Sequence, residues 1–379
     1  MKRKIGIYFH IPFCVQKCRY CDFCSFAGAK SDQMEAYVSE LCRRIERERK
    51  NLSDVCVDTV YFGGGTPTLL PIEAFSRIFE VMRASFEISD DCEITCECNP
   101  ATADEKKFRA LRALGVNRLS IGLQSVHDDE LRTLGRIHTY EDFRKTFSDA
   151  RVAGFDNISV DLMYALPNQT LSRFEESLVR LAELSPEHIS VYGLKMEEGT
   201  PFWQERDTLL LPDEDTELAM YLACSEILSR YGYKKYEISN FSKKGRESRH
   251  NLRYWHGEEY LGFGVAAHSY FEGERFGNSR KMEAFLLGEN IVEERIRLDK
   301  NELRNEYLML RLRLSEGIDE QELTANFGVS FDELAPSLGA WLAHGFMKKE
   351  NGRISFTDRG FFVSNAILSE LLVFDEKNC

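Results

Sequence analysis

Three cysteines fall within one short stretch, Cys14-Val-Gln-Lys-Cys18-Arg-Tyr-Cys21. Thiolates at such close spacing hold iron–sulfur clusters. On a four-iron cluster, three protein ligands leave one iron open to a further ligand. The alternative is a structural zinc site with Cys24 as the fourth ligand. Zinc prefers two CxxC-type pairs set on separate knuckles, and C-x3-C-x2-C does not supply them. The chain has 11 cysteines in all. Several of the others (Cys24, Cys42, Cys56, Cys92, Cys96, Cys98, Cys224 and Cys379) sit among apolar neighbours, where a buried free thiol is the ordinary reading.

Two further groups carry polar chemistry. Gly63-Gly64-Gly65-Thr66-Pro67-Thr68 lets the backbone approach a ligand, but it lacks the GK[ST] of a phosphate loop. Glu93-Ile-Thr-Cys-Glu97-Cys98 alternates as a strand does. Cys92, Ile94, Cys96 and Cys98 share an apolar face suited to packing under helices. Glu93, Thr95 and Glu97 face the other way, which places Glu97 to accept hydrogen bonds from ribose hydroxyls. The bland reading of Glu97 is a strand-end charge in solvent. His250, in His250-Asn-Leu-Arg-Tyr254-Trp255, is a candidate iron ligand with aromatic neighbours. From its residue type alone it reads as a histidine satisfied by hydrogen bonds in an aromatic turn.

These residues need a frame. Short β-branched segments at Ile5–His10, Thr59–Gly63, Glu93–Glu97, Arg118–Gly122, Ile158–Met163 and His188–Tyr192 alternate with amphipathic stretches such as Gln33–Lys50, Glu73–Phe86 and Tyr140–Ala153. Six β-then-α units predict a parallel sheet with right-handed crossovers, curled into a partial (β/α)6 barrel of the TIM type. Functional side chains gather at the C-terminal strand ends of such a barrel. The cysteine loop, the glycine run and Glu97 all fall there. A further helix is expected at Asp213–Tyr231, and Tyr236–Tyr270 does not follow the repeat. Towards the end, helices at Ile318–Phe327 and Phe331–Lys349, a hairpin over Lys348–Thr357 turning at Asn351-Gly352, and a helix at Asp358–Leu372 suggest a winged-helix-like α+β domain. The expected division is residues 1–235 for the barrel, 236–300 for a connecting region and 301–379 for the C-terminal domain.

Composition narrows the function. Apolar residues make up 43% and charged residues 29% of the 379, with a formal net charge of −13. An acidic surface repels phosphate backbones, so nucleic acid is not expected as a ligand. Residues 301–379 carry 8 Lys and Arg against 13 Asp and Glu, a net of −5, so the winged element reads as scaffold. No apolar run reaches membrane-span length. The short basic-then-apolar start, MKRKIGIYFHIPFC, reads as a strand rather than a leader. The expected location is the cytoplasm.

The C-x3-C-x2-C loop placed directly after the first strand resembles the signature of the radical S-adenosylmethionine (SAM) superfamily. The likeness extends along the chain. His10-Ile-Pro-Phe-Cys14, GGGTPT, Glu97-Cys-Asn-Pro100, Gly122-Leu-Gln124-Ser, Leu134-Gly-Arg136-Ile-His138 and Asp161-Leu-Met-Tyr-Ala-Leu-Pro167 occur in order. Over roughly residues 5–370 the chain resembles the oxygen-independent coproporphyrinogen III oxidases and their relatives, the HemW-type haem chaperones. The resemblance implies a [4Fe–4S] cluster on Cys14, Cys18 and Cys21. Its open iron would bind SAM through amino and carboxylate groups, and one electron would cleave the sulfonium to a 5′-deoxyadenosyl radical. It also implies SAM contacts from Tyr8, Gly64, Gly65, Thr66, Glu97, Gln124, Arg136 and Asp161.

Three features favour the chaperone branch. The oxidases add a fourth cysteine two residues after the third, and here that position is Phe23. They carry a long extension before the cluster loop, whereas 13 residues precede Cys14 here. The HNLRYW segment matches the HNxxYW signature of haem-binding HemW proteins. Under this resemblance His250 ligates haem iron, Tyr254 and Trp255 pack on the porphyrin, and Arg249 and Arg253 meet its propionates. The partners implied are haem, an apo-haemoprotein client, an electron donor such as flavodoxin or ferredoxin, and a second copy in a homodimer. The competing function is oxidative decarboxylation of coproporphyrinogen III, which would make the chain an oxidoreductase.

Overall fold

A computed structural model describes residues 2–49, 52 and 54–372. Six parallel strands run in sequence order: β1 (Arg3–Ile11), β2 (Val55–Gly64), β3 (Glu87–Cys98), β4 (Arg118–Gln124), β5 (Ile158–Tyr164) and β6 (His188–Gly193). The helices between them are α1 (Ser31–Glu48), α2 (Ile72–Ser85), α3 (Glu105–Leu114), α4 (Asp128–Thr133), α5 (Tyr140–Val152) and α6 (Leu171–Glu183). All six expected strands form. The end predicted for the first helix, Lys50, lies outside the described residues.

The period of two along each strand sorts the side chains. On β1, Ile5, Ile7, Phe9 and Ile11 are fully buried under the helices. Gly6, Tyr8 and His10 face the barrel interior. On β3, Cys92, Ile94, Cys96 and Cys98 are buried in the core. Their thiols donate to carbonyls of their own strand end, as in Cys96 Sγ to Glu97 O. The apolar cysteine face is thus a packing face.

The sheet extends beyond six strands. After α7 (Pro201–Glu205) and α8 (Glu214–Arg230), β7 (Asn240–Ser242) adds antiparallel to β6. A short helix, α9 (Arg249–Trp255), follows. Then β8 (Tyr260–Phe263) pairs parallel with the far side of β1. A meander of β9 (His268–Phe271), β10 (Glu274–Asn278) and β11 (Val292–Arg297), with the two-residue strand Lys234–Lys235 beside β7, completes a 12-stranded sheet. The stretch 236–300 therefore contributes strands to the barrel sheet on both sides.

The C-terminal part carries the expected wing, with Met347–Glu350 and Arg353–Phe356 joined at Asn351-Gly352, both at positive φ. Three boundaries differ from expectation. The helix expected at Ile318 starts at Glu320, because the Asp319 side chain accepts from the Gln321 and Glu322 amides and caps it there. Residues 318–319 instead pair with Arg353–Phe356. The next helix stops at Ala343 rather than Lys349, since Met347 onward is claimed by the wing ladder. The last helix is broken at Val363 into Asp358–Phe362 and Ser364–Leu371.

Candidate functional site

The C-terminal ends of the strands surround one cavity of about 540 Å³. Its walls include Cys14, Cys18 and Cys21 from the loop after β1, Gly64, Gly65 and Thr66 after β2, and Glu97 and Asn99 at the end of β3. Gln124, Arg136, Asp161 and Tyr192 complete the wall. The structure thus brings together the three cysteines expected to hold a cluster and seven of the eight residues expected to meet SAM.

The eighth, Tyr8, is not among the wall residues. Its ring packs beside Tyr61, at 6.2 Å between centroids, and its hydroxyl lies 3.0 Å from His10 Nδ1. His10 Nε2 in turn meets the Cys24 carbonyl at 2.8 Å. With Nε2 protonated, as a carbonyl partner requires, Nδ1 accepts from Tyr8. Tyr8 therefore anchors the far end of the cysteine loop through His10. Cys24 is buried, with its thiol toward the Arg280 carbonyl, and it too is absent from the wall. Phe23 stands 69% exposed at the rim. Among the described residues no group of three or more His, Cys, Asp or Glu could hold a metal ion as placed.

Two loops hold the cysteines in register. Thr66 Oγ1 lies 3.6 Å from Cys14 Sγ, and Asn99 donates to Thr66 at 2.7 Å. Arg136 donates to Asn99 at 2.6 Å, to the Gly122 carbonyl at 2.7 Å and to Cys18 Sγ at 3.6 Å. Arg136 was expected to meet SAM, and here its guanidinium is engaged with a cluster cysteine and the β3 end. Asn99, inside the Glu97-Cys-Asn-Pro100 motif, links the two loops, a role its residue type does not announce. The glycine run follows from the same crowding. A side chain on Gly65 would come within 2.6 Å of the Phe13 carbonyl and 3.0 Å of Cys14 Sγ.

Opposite the cysteines sit two carboxylates. Glu97 accepts from the Tyr61 hydroxyl at 2.9 Å and from the Gly64 amide at 3.1 Å. Asp161 accepts from Ser120 at 3.3 Å. Burial, and then the charge of Asp161, pushes the Glu97 carboxyl up to about 7. Burial pushes Asp161 up to about 6. Both side chains are poised to accept hydrogen bonds from a polar ligand. Gln124, at φ +75°, takes a hydrogen bond from Tyr192 at 2.9 Å.

The HNLRYW segment lies elsewhere. It forms α9 and closes the opposite, N-terminal end of the barrel. His250 is fully buried. Its Nδ1 lies 2.9 Å from Thr59 Oγ1, its Nε2 lies 2.7 Å from the Tyr254 hydroxyl, and its ring stacks on Tyr61. Glu93 accepts from the Arg249 and His250 amides. Arg253 is buried against Asp58, and its stem fills the space above Gly6, where a Cβ would come within 2.7 Å. Burial, then Arg253, lowers the His250 pKa to about 3, so the ring is neutral with both nitrogens engaged. Trp255 is half-buried at the end of α9.

The family models place this architecture. Residues 8–181 match the radical SAM superfamily and residues 298–363 the HemN C-terminal domain. The haem chaperone HemW of Bacillus subtilis is 35% identical over 96% of this chain and 98% of its own length. The haem chaperones HemW of Haemophilus influenzae and Escherichia coli are each 32% identical, over 98% and 97% of this chain and 98% of their own lengths. The chain belongs to the HemW family. The coproporphyrinogen III oxidase HemN of Escherichia coli superposes with a TM-score of 0.86 over 98% of this chain and 91% of its own, at 24% identity, and shares the fold. As in the radical SAM superfamily at large, the cofactors of the HemW fold are a [4Fe–4S] cluster and SAM. No helix among the described residues is long and apolar enough to cross a membrane.

Proposed function

We propose that this chain is a haem chaperone that binds haem and hands it to apo-haemoproteins in the cytoplasm. Its barrel mouth carries a [4Fe–4S] cluster on Cys14, Cys18 and Cys21, with SAM in the cavity beside Glu97 and Asp161. The observation that carries the reading is end-to-end identity of 32–35% to haem chaperones. Phe23, exposed where the oxidase pattern has its fourth cysteine, supports it. When bound, the cluster supplies the electron that splits SAM. The chain's own part is to seat the ligand: Glu97 and Asp161 accept its polar hydrogens, and Thr66, Asn99 and Arg136 hold the cysteine loop against it. A small electron carrier of flavodoxin or ferredoxin type and a second copy of the chain are the further partners of this reading. Decarboxylation of coproporphyrinogen III is not part of it.

The proposed haem ligand is His250, with Tyr254 and Trp255 as porphyrin contacts. In the closed floor, Tyr254 occupies the nitrogen that iron needs. Haem loading in this reading therefore displaces α9 from Thr59 and Tyr61. Haem titration of three proteins tests it. His250→Ala should weaken haem binding at least tenfold. Tyr254→Phe, which frees Nε2, should strengthen or accelerate it. Haem binding indifferent to both changes, together with carbon dioxide release from coproporphyrinogen III, would sink the chaperone reading.

A further inference from the structure

Arg118 opens β4, and its side chain is inside the barrel. The alternation is unambiguous: Leu119, Ile121 and Leu123 are fully buried under the helices, whereas Ser120 and Gly122 meet Asp161 and Arg136 within. Arg118 is 1% exposed, and its Nε has no hydrogen-bond partner. Its register partner on β3 is Thr95, whose hydroxyl is also buried without a partner. An unneutralised guanidinium in a barrel core is costly, so its neighbours must repay it.

The layers around it show which neighbours do. One step above, about 7 Å along the strands, Glu97 pairs in register with Ser120, and Ser120 reaches Asp161. One step below lies the floor, with His250 and His188 both neutral. The guanidinium therefore stands between two carboxylates above and, below, two uncharged imidazoles and Glu93, whose carboxylate is taken up by the Arg249 and His250 amides. We propose that Arg118 is a positioning residue for the SAM site, supplying the buried positive charge that keeps Glu97 and Asp161 ionised and oriented toward the ligand. This rests on the reading that those two carboxylates hold SAM.

Other groups bear on the same pair. Glu97 also faces the Tyr61 hydroxyl and Gly64 amide of β2, Tyr8 of β1 and Tyr254 of α9. Asp161 also faces Ser190 of β6 and Arg136. Arg118 lowers the pKa of both carboxylates against the burial that raises them. Removing its charge therefore raises both, and at neutral pH a larger fraction is protonated and cannot accept a ligand's hydrogens.

The test is SAM affinity of anaerobically reconstituted protein as a function of pH, with iron content measured alongside. R118M should bind SAM several-fold more weakly near pH 7, where more of both carboxylates is protonated, and approach wild type near pH 9. R118K should follow the wild-type profile. E97Q and D161N should weaken binding at every pH. If E97Q and D161N bind SAM normally, the carboxylate reading fails. If they bind poorly while R118M matches wild type throughout, the Arg118 proposal fails. A loss in R118M that is equal at both pH values marks a packing role and also overturns it. Should R118M not fold, R118Q replaces it, with the same outcomes deciding.

Discussion

Replacing His250 by Gln probes the barrel floor without deleting a hydrogen-bonding head. In the wild type the ring is neutral because burial lowers its pKa from 6.5 to about 3. The unfolded chain protonates this histidine below 6.5, and the folded chain does not, so stability from this group is present at high pH and lost as pH falls through 6.5. Between about pH 8 and pH 5 the loss is about 2 kcal/mol, from roughly 1.5 units of unfolded-state protonation. Other buried groups titrate as well. Glu97, Asp161 and Glu237 have raised pKa values and pull the opposite way. Comparing the two proteins at both pH values cancels them. For a chain of this length, about 2 kcal/mol corresponds to about 2.5 °C in melting temperature. Wild type should lose that much more than H250Q between the two pH values, measured by anaerobic thermal denaturation. Equal losses would refute the sealed floor and mean that water reaches the imidazole in the native state.

Two further outcomes follow from the same structure. Alanine at Cys14, Cys18 or Cys21 should abolish the broad visible absorbance and the content of about four irons after anaerobic reconstitution, while Cys24→Ala keeps both; loss of iron in the Cys24 variant alone would overturn the ligand assignment. Asp58→Asn should destabilise the protein by about 1–3 kcal/mol, because it leaves the buried Arg253 guanidinium with the half-exposed Glu258 as its remaining carboxylate; a denaturant midpoint within error of wild type would show that Glu258 suffices.

Much of the mouth was legible because its chemistry is local in sequence. The cysteine triplet, the glycine run and Glu97 each sit at the end of a strand whose alternation is plain. Asn99 was missed because an amide before a proline reads as a turn, and its bonds to Thr66 and Arg136 come from loops 33 and 37 residues away. Arg118 was missed for a different reason. A charged residue at a strand start reads as solvent-facing, and only closure of the barrel buries it. Strand β8 was unreadable as a neighbour of β1, since Tyr260–Phe263 is short and pairs across some 250 residues of chain. The HNLRYW segment was recognised as a motif but not as a plug, because the groups that satisfy His250 lie on β2 and on its own helix.

The plug has a consequence for how the molecule is made. The six barrel strands are complete by Gly193, yet the segment that shuts the barrel from below arrives only at residues 249–255. The contacts that lock it reach back 191 residues to Thr59 and 195 to Asp58. During vectorial synthesis the N-terminal half therefore emerges as a curled, open sheet with Arg118, Glu93 and His188 facing an unfilled axis. Closure is a late, long-range event, the kind that sets the pace of folding. The growing chain passes through a stage in which the interior is reachable from both ends, and the lower entrance shuts only once residues 249–255 have been made, leaving the mouth as the way in.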